Sequence, residues 1–261
     1  MRYIVQVVRF LLFSVALVQA GIGMEIPPCY EVVYTTHPPV IDGILKPEEW
    51  SAAAPLFLSI GWPKAQVMLS TCGEARLLWT PEGLYCSWEV VDNTLVFGHA
   101  PSGMPLYKED VFELFIDSVG DHRQYYEIEL DPAGHAYFKN TILTAKPRLT
   151  NEFRLEEDFV KSNLWSYVIP APDGFRIASK VNPTTHLWTL EVFLPASFIN
   201  RRLNGKPLAP TTMRFNLARH DWDLPLDSPN RKVKFYYYSP VLPGNPHISP
   251  TLMGNLVLKK P

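Results

Sequence analysis

The repetition of short apolar runs between turn signals constrains the fold of this chain more than any other feature. The 261 residues include 25 prolines, and 13% are aromatic, which disfavours long helices and favours short strands joined by irregular loops. Two runs, 75–79 and 84–91, flank a turn at 80–83 and predict a β-hairpin. We therefore predict an all-β protein, a single antiparallel β-sandwich of jelly-roll-like type, with helix limited to single turns at 46–50 and 195–199.

One predicted strand, 107–117, places a charge among apolar side chains. Side chains alternate across a strand, so Glu113 shares a face with Val111 and Phe115. Burying an unpaired carboxylate is costly, and Glu113 must therefore find a partner, a ligand or water. Two interpretations stay open: a structural ion pair with an Arg of a neighbouring strand, or a binding site centred on this strand.

Other predicted strands also combine one apolar face with an opposite face that carries isolated polar side chains. These polar residues are Glu127, Glu129, Glu191, Arg214 and Asn216. If they share one sheet surface with Glu113, they form a polar floor beside aromatic walls, which is typical of sugar sites. The alternative is a solvent-exposed sheet face with cross-strand ion pairs.

Charge and motif content argue against several classes of function. The formal net charge is -2 without long charge runs, which argues against a nucleic-acid partner and an anionic membrane surface. The sequence has no glycine-rich phosphate loop, no nucleophile elbow and no H-E-x-x-H motif. Two carboxylates at a suitable separation could hydrolyse a glycoside, but no nucleophile or metal centre is recognisable. We therefore predict that the protein is not an enzyme.

The first 20 residues predict a secretory signal peptide. Arg2 and Arg9 supply a basic start, residues 10–18 form a short apolar stretch, and the expected cleavage point lies near Ala20. The apolar stretch is too short for a comfortable membrane span, and no second one follows. We therefore expect residues 21–261 to form one domain that is secreted or periplasmic and monomeric.

Three cysteines, Cys29, Cys72 and Cys86, remain in the predicted mature chain. An export compartment permits one disulfide and leaves one thiol over, and the sequence does not assign the pairing. Their spacing matches no zinc pattern, so we predict no metal role for them. The sequence indicates no cofactor with certainty.

A series of short motifs follows one another in a specific order along most of the chain. The motifs are VIDG at 40–43, EW at 49–50, LLWT at 77–80, LY at 84–85, VD at 91–92, EDVFELFID at 109–117, YYEIE at 125–129, LEVFLP at 190–195, RFN at 214–216 and GNL at 254–256. Their order and spacing resemble the family 9 carbohydrate-binding modules and the wider set of family 9-like secreted proteins. The resemblance implies a β-sandwich that binds an oligo- or polysaccharide without catalysis.

The resemblance also implies a set of ligand-binding residues. It places Tyr107, before the central strand, and His247, before the final strand, as an aromatic clamp around a sugar. It gives Glu113 and Asn216 contacts with the sugar hydroxyls. At the positions of Glu127 and Glu129 the best-characterised type has Arg and Asn, and this change from basic to acidic would alter what is bound. Structural calcium often accompanies the family, but no ligands for it can be matched in this sequence.

Two alternatives to sugar binding follow from the same resemblance. Similar sandwiches of the wider superfamily hold haem through a Met and a His, so Met68 with His220 or His247 is a candidate redox site. Without a C-x-x-C-H motif such a haem would be non-covalent. The second alternative is an exported structural or interaction domain that binds no sugar.

Overall fold

The computed structural model describes residues 27–58, 60–62, 73–98, 105–144, 162–239, 241, 247 and 252–261. The predicted signal peptide, Met68 and Cys72 lie outside these ranges. The strands of the described ranges are β1 (Cys29–Tyr34), β2 (Leu56–Phe57), β3 (Ile60–Trp62), β4 (Glu74–Thr80), β5 (Gly83–Val91), β6 (Val111–Asp117), β7 (Gln124–Leu130), β8 (Ala136–Leu143), β9 (Leu164–Ile169), β10 (Arg176–Asn182), β11 (Leu187–Pro195), β12 (Thr212–Trp222), β13 (Val233–Tyr237) and β14 (Gly254–Leu258). The short helices are α1 (Pro47–Trp50), α2 (Ala196–Ile199) and the 3-10 turns Leu106–Lys108 and Arg201–Leu203.

The strands form one curled sheet whose two halves face each other. Half A has the order β14-β12-β6-β7-β8-β9, with β13 paired to the distal part of β12 and β3 paired to β13. Half B has the order β10-β11-β5-β4, with β2 paired to β4. The pairings described within each half are antiparallel. The predicted all-β sandwich is therefore confirmed.

Strand β1 joins the two halves and departs from the antiparallel rule. Its residues 29–32 run parallel to 255–258 of β14, and Val33 and Tyr34 then run parallel to Leu78 and Trp79 near the end of β4. This corrects the expectation of antiparallel pairing throughout. Apolar alternation predicts that a segment is a strand, but it carries no information about the direction of the strand's partners.

The core lies between the two halves and is rich in aromatic side chains. Trp88 of β5 stacks on Phe112 of β6 with ring centroids 4.5 Å apart, and Trp188 of β11 meets Trp88 edge-on at 6.2 Å. Ile128 and Leu130 of β7 join the same buried cluster. Because side chains alternate along β7, the residues between them point to the outer face of half A.

The short local elements also follow the sequence pattern. The turn at 80–83 connects β4 to β5, with Leu77 opposite Cys86. A side chain at Gly83 has no room, because its Cβ would lie 2.3 Å from the Leu194 carbonyl oxygen of β11. Helices α1 and α2 each make about one turn, as the sequence predicts.

Glu191 lies on the outer face of half B, away from the carboxylates of half A. Its Oε1 accepts a hydrogen bond from Trp50 Nε1 (2.8 Å), and its Oε2 accepts from the backbone N–H groups of Asp42 (3.0 Å) and Gly43 (2.8 Å). Glu191 therefore does not share a surface with Glu113, and the condition for one polar floor is not met at this residue. Strand alternation assigns a face to each side chain, but it does not say to which half the strand belongs.

Cys29 is exposed and Cys86 is buried, and both are free thiols. Burial raises the pKa of the Cys86 thiol well above its ordinary value. Within the described ranges, no helix has the length and apolar character needed to cross a bilayer.

Candidate functional site

A cavity of about 650 Å³ opens over the outer face of half A. Strands β6, β7 and β8 form its floor, and β9, β12, β13 and the 3-10 turn Leu106–Lys108 form its rim. Its aromatic side chains are Tyr107, Tyr137, Tyr167, Trp222, Phe235 and Tyr237. Its polar side chains are Glu113, Glu127, Lys139, Ser166, His220 and His247.

The floor is a cluster of three buried carboxylates around one ammonium group. The strand register places Glu113 opposite Glu129, and Glu127 opposite Lys139. Lys139 Nζ lies 2.7 Å from Glu127 Oε1 and 2.5 Å from Glu129 Oε1. Glu129 is fully buried beneath the cavity, whereas Glu113 and Glu127 line it. The acidic residues of β7 are therefore compensated by a basic residue of β8.

The electrostatics of the floor follow from burial and these charges. Burial alone would lower the pKa of Lys139, but Glu127 and Glu129 outweigh it and raise this pKa, so the side chain stays an ammonium. Burial raises the pKa of Glu129 to about 7. Burial, followed by the neighbouring Glu127 and Glu129, raises the pKa of Glu113 well above its ordinary value.

Two histidines stand beside the carboxylates in their neutral form, because burial lowers the pKa of each to about 4. His220 Nδ1 lies 3.1 Å from the Tyr107 carbonyl oxygen, so this nitrogen carries the proton. The lone pair of His220 Nε2 then faces Glu113 Oε2 at 3.5 Å. His247 Nε2 lies 3.5 Å from Glu127 Oε2, and its Nδ1 lies 2.8 Å from the Tyr125 hydroxyl.

Tyr107 is held at the rim by hydrogen bonds to its backbone. Its N–H donates to Glu129 Oε2 (2.9 Å), and its carbonyl accepts from Trp222 Nε1 (3.0 Å) as well as from His220. Lys139 Nζ lies 5.1 Å from the Tyr107 ring centroid. The backbone of Tyr107 is thus fixed, while the residue as a whole is 37% exposed and lines the cavity.

Comparison with known families identifies the fold that carries this cavity. A model of the family described as carbohydrate family 9 binding domain-like matches residues 41–260. The chain belongs to this family. The resemblance in the order of its sequence motifs is therefore confirmed.

Similar solved structures include proteins from two organisms. A family 9 carbohydrate-binding module from Caldicellulosiruptor kristjanssonii in complex with cellotriose is 20% identical, with a TM-score of 0.59 over 89% of this chain and 94% of that one. The same kind of module in complex with glucose gives 0.55, at 20% identity over 89% and 96%. A putative carbohydrate-binding protein from Bacteroides uniformis gives 0.63, at 14% identity over 89% and 99%. A comparison with curated proteins gave no significant match.

The family 9-like fold brings together most of the residues predicted to bind the ligand. Tyr107, Glu113, Glu127 and His247 line one cavity, and Glu129 lies directly beneath it. Their contact with a sugar stays a prediction.

Asn216 does not line this cavity. Its Oδ1 accepts from the backbone N–H groups of Ser239 (2.8 Å) and Leu217 (2.9 Å), and its Nδ2 donates to the Ser239 carbonyl (3.3 Å). On the same strand, Arg214 NH1 donates to Asn255 Oδ1 (2.6 Å). Asn216 therefore links β12 to the backbone at Ser239, and Arg214 links β12 to β14.

Sequence reasoning missed Lys139 and Trp222 as site residues and treated His220 only as a haem candidate. The turn at 131–134 between β7 and β8 could have placed Lys139 opposite Glu127, because a hairpin fixes the register of its strands. Met68, the partner proposed for a haem, lies outside the described residues.

Two acidic clusters in the described ranges could hold a metal ion by distance alone, and neither fits the calcium that the family implies. Their members are Glu113, Glu127 and Glu129, and Asp92, Asp110 and Asp221. Lys139 occupies the first cluster, and the fully buried Arg219 pairs with Asp92 and Asp221 in the second. Calcium needs six to eight oxygen ligands. Each cluster has three carboxylates, and a basic side chain already pairs with two of them.

Proposed function

We propose that this protein is an exported, non-catalytic carbohydrate-binding protein that holds a saccharide in the cavity over half A. The observation that carries the proposal is the combination of six aromatic rings with a polar floor in one cavity. Its volume of about 650 Å³ is of the size that accommodates small ligands. Family membership supports a carbohydrate as the ligand.

Aromatic rings at the rim would pack against the apolar face of the sugar. Tyr107 is accessible, and its backbone is fixed by three hydrogen bonds. His247 packs on Tyr125 with an interplanar angle of 22°, which leaves its other face for the cavity. Tyr107 and His247 are thus the two sides of the proposed clamp, and Glu113, Glu127 and Lys139 would bind the hydroxyls.

The non-catalytic part of the proposal is supported by the way the carboxylates are used. A glycosidase needs one carboxylic acid and one carboxylate that are both available to the substrate. Glu127 and Glu129 are instead tied to Lys139. Export as a single monomeric domain is proposed from the first 20 residues and from the continuity of the family match across residues 41–260.

Calorimetric titration with glucose and cellotriose tests the proposed function. We expect saturable binding that Tyr107→Ala weakens by about tenfold, since loss of an aromatic stacking contact costs roughly 1.5 kcal/mol. Phe57→Ala is the matched control, because Phe57 is an exposed aromatic residue of half B and should leave binding unchanged. Absence of binding to any sugar of a broad glycan panel, or wild-type affinity in Tyr107→Ala, would contradict the proposal.

A further inference from the structure

Among the described residues, Glu113 is the carboxylate of the cavity floor that forms no ion pair with a Lys or Arg. Lys139 pairs with Glu127 and Glu129, and its charge lowers the pKa of Glu113 without outweighing burial and the two neighbouring carboxylates. The Glu113 side chain is only 3% exposed, and this exposure is toward the cavity that it lines. Among the described residues, its one ion-pair contact is His220 Nε2 at 3.5 Å.

His220 cannot supply the missing positive charge. Its Nδ1 proton is used on the Tyr107 carbonyl, so Nε2 presents a lone pair to Glu113. Burial lowers the pKa of His220 to about 4, and the ring is neutral near pH 7. When Glu113 is ionised, two hydrogen-bond acceptors face each other at the cavity floor. A donor entering from the cavity would satisfy both of them, and a cation would also balance the buried charge.

The walls of the cavity favour a cation for a separate reason. Tyr107, Trp222 and Phe235 line the space above Glu113, and the faces of aromatic rings attract ammonium groups. The chain itself already uses this chemistry, because Lys139 Nζ lies 5.1 Å from the Tyr107 ring centroid and 5.5 Å from that of Tyr137. Aromatic walls and a carboxyl group without a Lys or Arg partner together form a site for a second ammonium group.

We propose that the cavity prefers an amino sugar, a saccharide with an unacetylated and protonated amino group, whose ammonium binds Glu113 while its ring packs among the aromatic walls. The inference rests on the proposed function, because it names the class of saccharide that the same cavity takes. N-acetylation removes the charge that Glu113 would bind. A sugar acid would meet three carboxylates around a single lysine and is disfavoured.

Calorimetry at about pH 6, where an aliphatic amine is protonated, compares three β-1,4-linked trimers on the wild-type protein. They are cellotriose, the glucosamine trimer and the N-acetylglucosamine trimer. We expect the glucosamine trimer to bind at least about tenfold more tightly than cellotriose, because a hydrogen bond between charged groups is stronger than one between neutral groups. The acetylated trimer should lose this advantage.

Proton release provides a second measurement that needs no variant. Burial, Glu127 and Glu129 raise the pKa of Glu113 well above its ordinary value and so favour its protonated form in the free protein. An ammonium group in the cavity favours the ionised carboxylate, and binding of the glucosamine trimer should therefore release protons. Titrations in buffers of different ionisation enthalpy measure this release, and cellotriose should cause none.

Glu113→Gln keeps the shape of the side chain and removes its charge. We expect this variant to bind the glucosamine trimer and cellotriose with equal affinity. Glu31→Gln, at an exposed glutamate of β1 paired with Lys259, is the matched control and should keep the wild-type preference.

The outcomes separate this inference from the function on which it rests. If neither the glucosamine trimer nor cellotriose binds, the proposed function fails and the inference fails with it. If cellotriose binds and the glucosamine trimer binds no more tightly, only the inference is overturned. Retention of the preference in Glu113→Gln, or binding of the amino sugar without proton release, also overturns it.

Discussion

Single residues decide the charge balance of the site, and Lys139 decides most of it. Its ammonium contacts Glu127 and Glu129 and lies over the ring of Tyr107. Without Lys139, two buried carboxylates would lose their partner, a change that typically costs about 3 to 5 kcal/mol of stability. Tyr107 depends on the same group of residues, because Glu129 also accepts its backbone N–H.

Glu129 should make the stability of the protein depend on pH in a predictable direction. Its pKa is raised to about 7 in the folded protein, against about 4.3 in an unfolded chain. The folded state therefore binds a proton more tightly, and stability from this group is present at low pH and lost as the pH rises through 7. Relative to Glu129→Gln, the free energy of unfolding of the wild type should increase by roughly 2 kcal/mol between pH 8 and pH 5.

Urea denaturation of both proteins at the two pH values measures this difference. The exposed Glu31→Gln should follow the wild type at both values. If Glu129→Gln shows the same pH dependence as the wild type, Glu129 does not titrate in this range.

At the scale of elements, the outer surface of each half of the sheet has a separate task. On half A, the outer residues of β6, β7 and β8 form the cavity floor. On half B, Glu191 of β11 binds the segment that leads into α1, through Asp42, Gly43 and Trp50. Buried carboxylates of half A are therefore proposed to contact the ligand, whereas the buried Glu191 of half B anchors a segment of the chain.

Glu191→Ala should separate stability from binding. The substitution leaves the Trp50 indole N–H and two backbone N–H groups without their acceptor, and each such loss costs about 1 to 3 kcal/mol. We expect the free energy of unfolding to fall by at least about 3 kcal/mol, while the sugar affinity of the folded protein is unchanged. Thermal unfolding and calorimetric titration measure the two quantities, and a selective loss of affinity would contradict this assignment.

Alternation along single strands predicted much of this arrangement. It placed Ile128 toward the core and Glu127 and Glu129 on the opposite face, and the structure agrees. It could not show that Glu191 belongs to half B or that Asn216 is used on the backbone of Ser239. Both facts depend on which strands are neighbours. The alternation of side chains along one strand does not identify the distant strand with which it pairs.

At the scale of the whole molecule, the two halves are held together by a core that is separate from the cavity. Trp88 and Trp188 of half B pack with Phe112 of half A, and all three side chains are fully buried. The sequence pattern predicted this division into core and outer faces, because each strand has one consistently apolar side. The pattern did not predict the curl that brings the halves together, because the curl depends on the pairing of β1 with β14 and β4.

Trp88→Ala should destabilise the whole molecule cooperatively. Removing a buried aromatic side chain loses its burial and leaves a cavity, at a cost of about 3 to 5 kcal/mol. Trp165→Ala is the matched control, because Trp165 is 66% exposed and its removal should change stability by no more than about 0.5 kcal/mol. Urea denaturation followed by circular dichroism measures both, and a loss below about 1 kcal/mol for Trp88→Ala would show that the halves do not depend on this contact.

The placement of β1 also sets the order in which the native state can be completed. Residue 29 pairs with residue 255, so β1 acquires its partner β14 only after all the other described strands have been synthesised. Closing so long a loop is slow, because the chain loses conformational entropy before the stabilising contacts between β1 and β14 form. Until β14 arrives, β1 has an open edge and the two halves have no strand shared between them. The link between the two halves through β1 is therefore completed late in folding.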